Sequence, residues 1–152
     1  MKSLIIRVII DIRMSSIAEK IRAKLGIDEA ELLENMLDRA KKFIGLTKDG
    51  RIVFRVSRAI IPTKTMIALY AVGKYFASLA GYTDKDYVTV DELSKELGIP
   101  ANVATARLSD LRAEGRLIGV ERGTYKINTT MIDSILAEIE NYLERHTMGT
   151  KQ

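Results

Sequence analysis

Apolar and polar residues alternate near the start of the chain. Every second residue from Leu4 to Ile12 is aliphatic, while Arg7 and Asp11 lie at intervening positions. A two-residue period with many β-branched side chains is typical of a strand, because neighbouring side chains of a strand point to opposite faces. A strand is therefore predicted over 4–12.

Helical spacing of apolar residues replaces this alternation further along. Two helices are predicted, over 16–25 and 28–43, with Gly26 ending the first. Asp49 and Gly50 then lie between two runs of β-forming residues, which predicts a hairpin with a two-residue primed turn. The first part of the chain thus has the predicted order strand, helix, turn, helix, hairpin.

A longer apolar segment follows Pro62. The helix predicted over 63–81 has apolar side chains around most of its circumference, and a helix of this kind is usually buried. We therefore predict a linking helix that lies between the two halves of the chain. Tyr70, Tyr75 and Phe76 are interpreted as core residues of this helix rather than as a platform for stacking nucleobases.

The second half repeats the arrangement of helix, turn and helix. Gly98 and Ile99 form a turn, and a helix begins at Pro100, where the missing amide hydrogen costs nothing. Gly115 ends that helix, and two strands joined by a short turn follow. The inward-facing residues of this helix recur at helical spacing and are Ala104, Leu108 and Leu111.

Residues 89–127 resemble the winged helix-turn-helix domain of bacterial and archaeal transcription regulators. The resemblance rests on the turn at Gly98-Ile99, the apolar trio of the second helix, Gly115, and the strand beginning at Leu117-Ile118. The string Leu-Gly-Ile, followed by Ile-Gly about twenty residues later, also occurs in the first half. A diverged second copy is therefore predicted over about 15–56.

The predicted fold is mainly α with small antiparallel β-wings, an α+β class. Its architecture is a tandem of winged helices with a buried linking helix and a C-terminal amphipathic helix. The predicted parts are a diverged winged-helix-like domain at 1–58, the linking helix and a loop at 59–87, the winged helix-turn-helix domain at 88–128, and the C-terminal helix with its tail at 129–152.

The C-terminal helix has one apolar stripe opposite a row of glutamates. This stripe either packs on its own domain or pairs with a second copy of the chain. Regulators with winged helices often dimerise through such helices, because a palindromic site needs two half-site readers. The candidate dimer contacts are Ile132, Ile135, Leu136, Ile139, Tyr142 and Leu143.

Composition removes several classes of chemistry. The chain has no cysteine and a single histidine, His146, which excludes disulfides and thiol catalysis and leaves too few ligands for structural zinc. We expect no enzyme activity and no cofactor, because no nucleophile with its base, metal site or phosphate-binding loop is present. Arg7 interrupts the apolar run at 4–10, so neither a signal peptide nor a membrane span is predicted, and a cytoplasmic protein is expected.

The net charge of +4 is distributed unevenly. Residues 1–58 hold thirteen basic and eight acidic residues, whereas residues 88–128 hold six of each. The resemblance implies that the helix at 100–114 enters the major groove of duplex DNA, while the wing at 116–127 contacts the phosphate backbone. The alternative is that the same residues form an ordinary solvated face. The candidate DNA-binding residues are Asn102, Thr105, Ala106, Arg107, Ser109, Arg112, Arg116, Arg122 and Lys126.

The corresponding helix of the first copy is acidic. A phosphate backbone repels Asp28, Glu31 and Glu34, so a structural or protein-contacting role is expected for this helix. Basic residues lie on the following hairpin instead, as candidate backbone contacts or as a solvated basic face. They are Lys48, Arg51 and Arg55.

These features favour a DNA-binding protein, acting as a transcriptional regulator or a chromatin-associated factor. The alternative is a winged-helix subunit that docks proteins in a transcription, replication or ribosome-associated complex. The expected partners are duplex DNA, a second copy of the chain or a protein complex, with no membrane. The absence of Cys and Trp and the many Ile, Lys, Arg and Glu residues are typical of archaeal and thermophilic proteins.

Overall fold

The chain is mainly helical with two small antiparallel sheets, an α+β arrangement. The structure is a computed structural model that describes the backbone of residues 2–150 and the side chains of residues 3–147. The chain divides into two compact units, and the division lies between residues 35 and 36 of the sequence. The predicted boundaries after residues 58, 87 and 128 do not separate compact units, because one hydrophobic core spans all three.

The first unit consists of helix α1 (Lys2–Leu25) and the start of helix α2 (Glu29–Ala40). The strand predicted over 4–12 is wrong, since this stretch belongs to α1. Ile5 and Ile9 interrupt the alternation, and a helix satisfies its backbone hydrogen bonds internally, whereas a strand needs a partner strand. Helix α2 is capped at its start, because the Asp28 carboxylate accepts hydrogen bonds from two amides of its first turn at 3.1 and 3.2 Å.

The second unit contains the remaining elements. They are β1 (Ile44–Leu46), β2 (Ile52–Phe54), α3 (Thr63–Leu79), β3 (Tyr87–Thr89), α4 (Val90–Leu97), α5 (Ala101–Ala113), β4 (Leu117–Glu121), β5 (Thr124–Ile127), a 3₁₀ turn (Thr129–Met131) and α6 (Ile132–Thr150). Strand β5 lies between β3 and β4 in a three-stranded sheet. The predicted pair of strands after residue 115 is therefore confirmed. Strand β3, which precedes α4 and α5 in the sequence, pairs with β5 as the third strand.

Strands β1 and β2 form the hairpin predicted around Asp49-Gly50, with Leu46 paired to Ile52. The predicted two-residue primed turn is wrong, because both primed types need a positive φ at the first central residue, Asp49, and here only Gly50 has one, at 85°. The Gly50 amide instead donates to the Thr47 carbonyl at 3.0 Å in a wider loop. This sheet has two strands within residues 2–150, so the third strand that a first winged-helix copy requires is not there.

Helix α3 lies at the centre of the second unit and contacts β1, β2, β3, β5, α5 and α6. The predicted burial of this helix is confirmed, since twelve of its residues are buried. Gly73 allows the hairpin to approach it closely, because a Cβ at this position would lie 2.6 Å from Cγ1 of Ile52. Elements on every side therefore cover the apolar circumference that the sequence showed.

Helix α3 also contains a buried charged residue, Lys74. The Lys74 ammonium pairs with Oε1 of Glu92 on α4 at 2.9 Å, and the Tyr70 hydroxyl donates to the same oxygen at 2.8 Å. The Glu92 amide donates to Oγ1 of Thr89 at 3.1 Å, which caps the start of α4. These bonds hold the first turn of α4 on α3, and burial raises the pKa of the Tyr70 phenol well above its usual range.

The apolar stripe of α6 packs on α3. Ile132, Ile135, Leu136 and Ile139 are each at most 1% exposed, so they belong to the chain's own core. The prediction that these four contact a second copy is wrong, because the stripe is covered by the chain's own core, which was the other alternative. The two other candidates, Tyr142 and Leu143, are half-buried further along the same helix.

Arg39, at the end of α2, pairs with Asp133 and Glu140 of α6. Ion pairing with Glu140 raises the pKa of the Arg39 guanidinium above its ordinary value. The last turn of α2, which belongs to the second unit, is thereby attached to α6.

Candidate nucleic-acid interface

Helix α5 presents one buried face and one exposed face. Ala104, Leu108 and Leu111 are fully buried, as their spacing predicts. The opposite face exposes small and polar side chains at helical intervals, from the first turn to the third. These exposed residues are Asn102, Thr105, Ala106 and Ser109.

The turn before α5 fixes the direction of this face. Gly98 ends α4 in the left-handed conformation with a φ of 67°, which glycine adopts without strain. The Arg58 guanidinium donates to the Leu97 carbonyl at the end of α4 and so satisfies one of its unpaired acceptors. Lys64 of α3 pairs with Glu114 just after α5. Sequence reasoning missed both contacts, because the partners lie far apart along the chain.

The hydroxyl of Thr105 is already engaged. It donates to the Ala101 carbonyl one turn earlier at 2.8 Å. Its oxygen lone pairs remain free, so Thr105 can accept a hydrogen bond from an external donor while this bond is kept.

Arg107 differs from the other residues predicted on this face. Its side chain is partly covered, and its Nε lies 3.2 Å from Oδ2 of Asp110. The nearby carboxylate reduces the positive charge that Arg107 offers to a phosphate, while its other guanidinium N–H groups stay available as donors.

Arg112 lies over the wing. A Cβ at position 119 would approach Cζ of Arg112 to 3.1 Å, so Gly119 makes room for the guanidinium. Arg112, Arg122 and Tyr125 line an open cleft of about 360 Å³ between α5 and the β4–β5 turn. The structure thus brings Arg112 and Arg122, which are ten positions apart, to one cleft.

Arg116 was predicted to contact a phosphate backbone, and the structure contradicts this. Its guanidinium pairs with Glu138 of α6 and lies 3.5 Å from Oε2 of Glu114, with 19% of the side chain exposed. The residue attaches the base of the wing to α6. Both of its carboxylate partners would have to be given up before it could bind a phosphate.

Lys126 is exposed on the other face of the sheet. Residues of a strand alternate between faces, and Tyr125 and Ile127 on either side of it pack toward the core. Lys126 pairs in register with Ile118 and Tyr87 and lines a separate small cleft with Asp86. It does not join Arg112 and Arg122, so its predicted place in one interface with α5 is wrong.

The basic residues of the β1–β2 hairpin have partners of their own. The Arg55 guanidinium donates to the Lys41 carbonyl at 2.8 Å, and Nε of Arg51 lies 3.2 Å from Asp49. A hydrogen bond from Thr47 lowers the pKa of Asp49, which keeps this partner charged. Lys48 is exposed and has neither an ion pair nor a side-chain hydrogen bond among the described residues.

Ion pairs change the electrostatics of α5 and the wing. The sequence shows equal numbers of acidic and basic residues there, but Asp110 and Glu114 are neutralised by Arg107, Lys64 and Arg116. Within the described residues, the cleft itself keeps Arg112 and Arg122 as unpaired cations and Glu121 as its unpaired carboxylate. The cleft is therefore more basic than composition indicates.

No protein-family model, curated protein or solved structure matches this chain. Across the described part of the chain, no three His, Cys, Asp or Glu side chains come close enough to hold a metal ion. No helix within residues 2–150 has the length and apolar character needed to cross a membrane.

Proposed function

We propose that this protein binds duplex DNA through a winged helix-turn-helix domain formed by residues 63–128, as a transcriptional regulator or chromatin-associated factor. The order α3, β3, α4, α5, β4, β5 supports this, as does a three-stranded sheet with β5 in its centre. Helix α3, expected from the sequence to be a linker, is then the first helix of the domain. The proposal rests on this one domain, because a copy over 15–56 lacks its first strand.

In this proposal α5 enters the major groove. Its exposed face has short side chains, which allow the helix backbone to come close to the base edges. The Asn102 amide suits the paired donor and acceptor of an adenine edge, and the Ala106 methyl suits the methyl group of thymine. Arg112 and Arg122 then bind phosphates and fix the position of the helix without reading sequence.

The observation that carries the proposal is the cleft between α5 and the wing. It combines an uncharged, exposed helix face with two guanidinium groups that have no ion-pair partner in the described part of the chain. Ion pairs also neutralise the nearby carboxylates of Asp110 and Glu114. A surface of this kind attracts a polyanion and brings a helix against it.

The test is the affinity of the full chain for a labelled random duplex, measured by fluorescence anisotropy at about 50 mM and about 200 mM salt. Binding should weaken steeply with salt. The double variant Arg112→Ala/Arg122→Ala should bind more weakly at low salt. Its plot of log affinity against log salt should be shallower by about two, since each phosphate contact contributes about 0.9.

The matched control is Lys41→Ala/Lys42→Ala, which removes the same charge from two exposed residues away from the cleft. It should leave most of the affinity and the salt slope in place. Equal losses in both double variants would mean non-specific attraction and would contradict the proposed site. Stronger binding to single-stranded DNA or RNA of the same length would contradict the choice of duplex DNA.

A second candidate function is favoured by apolar exposure on β4. Ile118 and Val120 are 44% and 49% exposed on a short strand at the edge of the sheet. Such a pair suits a protein partner better than DNA and supports a docking subunit of a nucleic-acid complex. In a pull-down, Ile118→Asp would then release a stoichiometric protein that Arg112→Ala/Arg122→Ala retains.

A further inference from the structure

The first unit exposes an unusual amount of apolar surface. No side chain from residue 3 to residue 35 is buried within the chain. Helix α1 exposes eleven large aliphatic side chains by 45% or more: Leu4, Ile5, Ile6, Val8, Ile9, Ile10, Ile12, Met14, Ile17, Ile21 and Leu25. Leu32 and Leu33 of α2 are also exposed.

These residues surround α1 on all sides rather than forming one stripe. In its first half, Leu4, Ile5 and Ile6 are consecutive and so point in three directions about 100° apart. A helix that lies on a membrane surface needs a polar side turned to water. A helix that is apolar all round is normally enclosed by other helices, so α1 fits a helical bundle better than a lipid surface.

The area is sufficient for a stable interface between proteins. Burying one large aliphatic side chain removes about 100 Å² of apolar surface from water, so the eleven side chains of α1 offer roughly 1,000 Å². A specific interface of ordinary size buries about 800 Å² on each partner. The helix alone therefore has enough surface for one.

The charges of the first unit favour the same unit of a second copy as its partner. Residues 2–25 contain six basic and two acidic residues, whereas residues 28–35 contain four carboxylates and no basic residue. No ion pair joins α1 to α2 among the described residues, although each offers what the other lacks. Two copies arranged with α1 of one beside α2 of the other would match both charge and apolar surface.

We propose that the first unit is a self-association surface whose partner is the first unit of a second copy. The basic, apolar helix α1 of each copy packs against the acidic start of α2 in the other, forming a bundle of helices. The inference is independent of the proposed DNA interface, which lies on α5 and the wing, so either can fail alone.

The first test is sedimentation equilibrium of the full chain over about 1 to 100 μM, a range that brackets a typical dimer constant. The expected result is a mass of twice 17.0 kDa or a higher multiple at the upper concentrations. Ile10→Asp/Ile17→Asp should return the chain to a monomer. The matched control is Val53→Asp on β2, which should leave association unchanged. It introduces the same aspartate at a position of equal exposure, since Val53 is 50% exposed and Ile10 is 51% exposed.

A charge exchange identifies the partner surface. Glu31→Lys/Glu34→Lys and Lys20→Glu/Arg22→Glu should each weaken association, since both place like charges across the interface. Mixing the two variants should restore it as a mixed assembly. Circular dichroism of each variant, which should retain the helical signal of the second unit, separates lost association from unfolding.

Three results would overturn the proposal. They are a wild-type chain that remains a monomer at 100 μM, an Ile10→Asp/Ile17→Asp variant that associates as the wild type does, and charge variants that fail to recover on mixing. A monomer that sediments with vesicles of anionic phospholipid would assign the same surface to a membrane and would also count against a second copy.

Discussion

Individual residues decide which charges of the second unit are available. Composition counts Arg112 and Arg116 alike. Among the described residues, however, Arg112 lies over Gly119 without an ion-pair partner, whereas Arg116 pairs with Glu138. Lys74 is a further case, because its ammonium is buried and pairs with Glu92. A charge taken out of water needs such a partner, since its desolvation is costly. Only the unpaired, exposed cations remain for an external anion.

Tyr70 supports a prediction about alkaline pH. Burial and the hydrogen bond to Glu92 raise its pKa in the folded chain above the usual value of 10.0. The unfolded chain therefore loses this proton first as the pH rises. Its contribution to stability is complete below pH 10 and declines above it, by up to about 1.4 kcal/mol per pH unit.

Urea unfolding of wild type and Tyr70→Phe between pH 7 and pH 11 measures this effect. The free energy of unfolding should fall more steeply above pH 10 in the wild type, because the variant lacks the group that titrates. Parallel curves for the two proteins would show that Tyr70 ionises equally well in the folded chain.

At the scale of elements, close approach determines how α3 is covered. Gly73 lies in the interior of this helix, where alanine would ordinarily be preferred by about 1 kcal/mol. Here an added Cβ would meet Ile52 of the hairpin at 2.6 Å and Ile44 at 3.4 Å. The missing side chain therefore seats β1 and β2 on the helix.

We predict that Gly73→Ala destabilises the chain by about 1 to 2 kcal/mol, because overpacking outweighs the gain in helix propensity. In an Ile52→Ala background the clash is gone, and the same substitution should become neutral or stabilising. Urea unfolding of the four proteins in this cycle gives the coupling between the two sites. Additive effects would mean that Gly73 does not touch the hairpin.

At the scale of the whole molecule, the two units differ in what stabilises them. The second unit has a continuous core, whereas the side chains of residues 3–35 have no buried member. Helices without packed side chains are marginal in water, since nucleation is costly and only tertiary burial repays it. The first unit should therefore depend on an external partner for its stability.

Hydrogen exchange at two concentrations tests this difference. In dilute protein, at about 1 μM, amides of α1 should exchange with little protection, while those of α3 should be among the slowest. At about 100 μM, the amides of α1 should become protected and those of α3 should change little, because association adds burial to the first unit. Strong protection of α1 that is the same at both concentrations would contradict the expectation.

The sequence by itself determined most of the second unit. Helical spacing located α3, α5 and α6, and it identified the buried trio of α5. Gly98 and Gly115 correctly indicated the turns, because each requires a positive φ that glycine adopts without strain. Local patterns suffice here, since one periodic face and its flanking turn residues define an element.

Contacts between distant residues decided the rest. Alternation at 4–12 was compatible with a strand, but a strand forms only where a sheet edge receives it, so this segment became helical. The stripe of α6 suited either a second copy or its own domain, and the open side of α3 settled the choice. The same reason applies to Arg116 and Lys126. Counting charges does not show that Arg116 pairs with Glu138, nor on which face of β5 the Lys126 side chain lies.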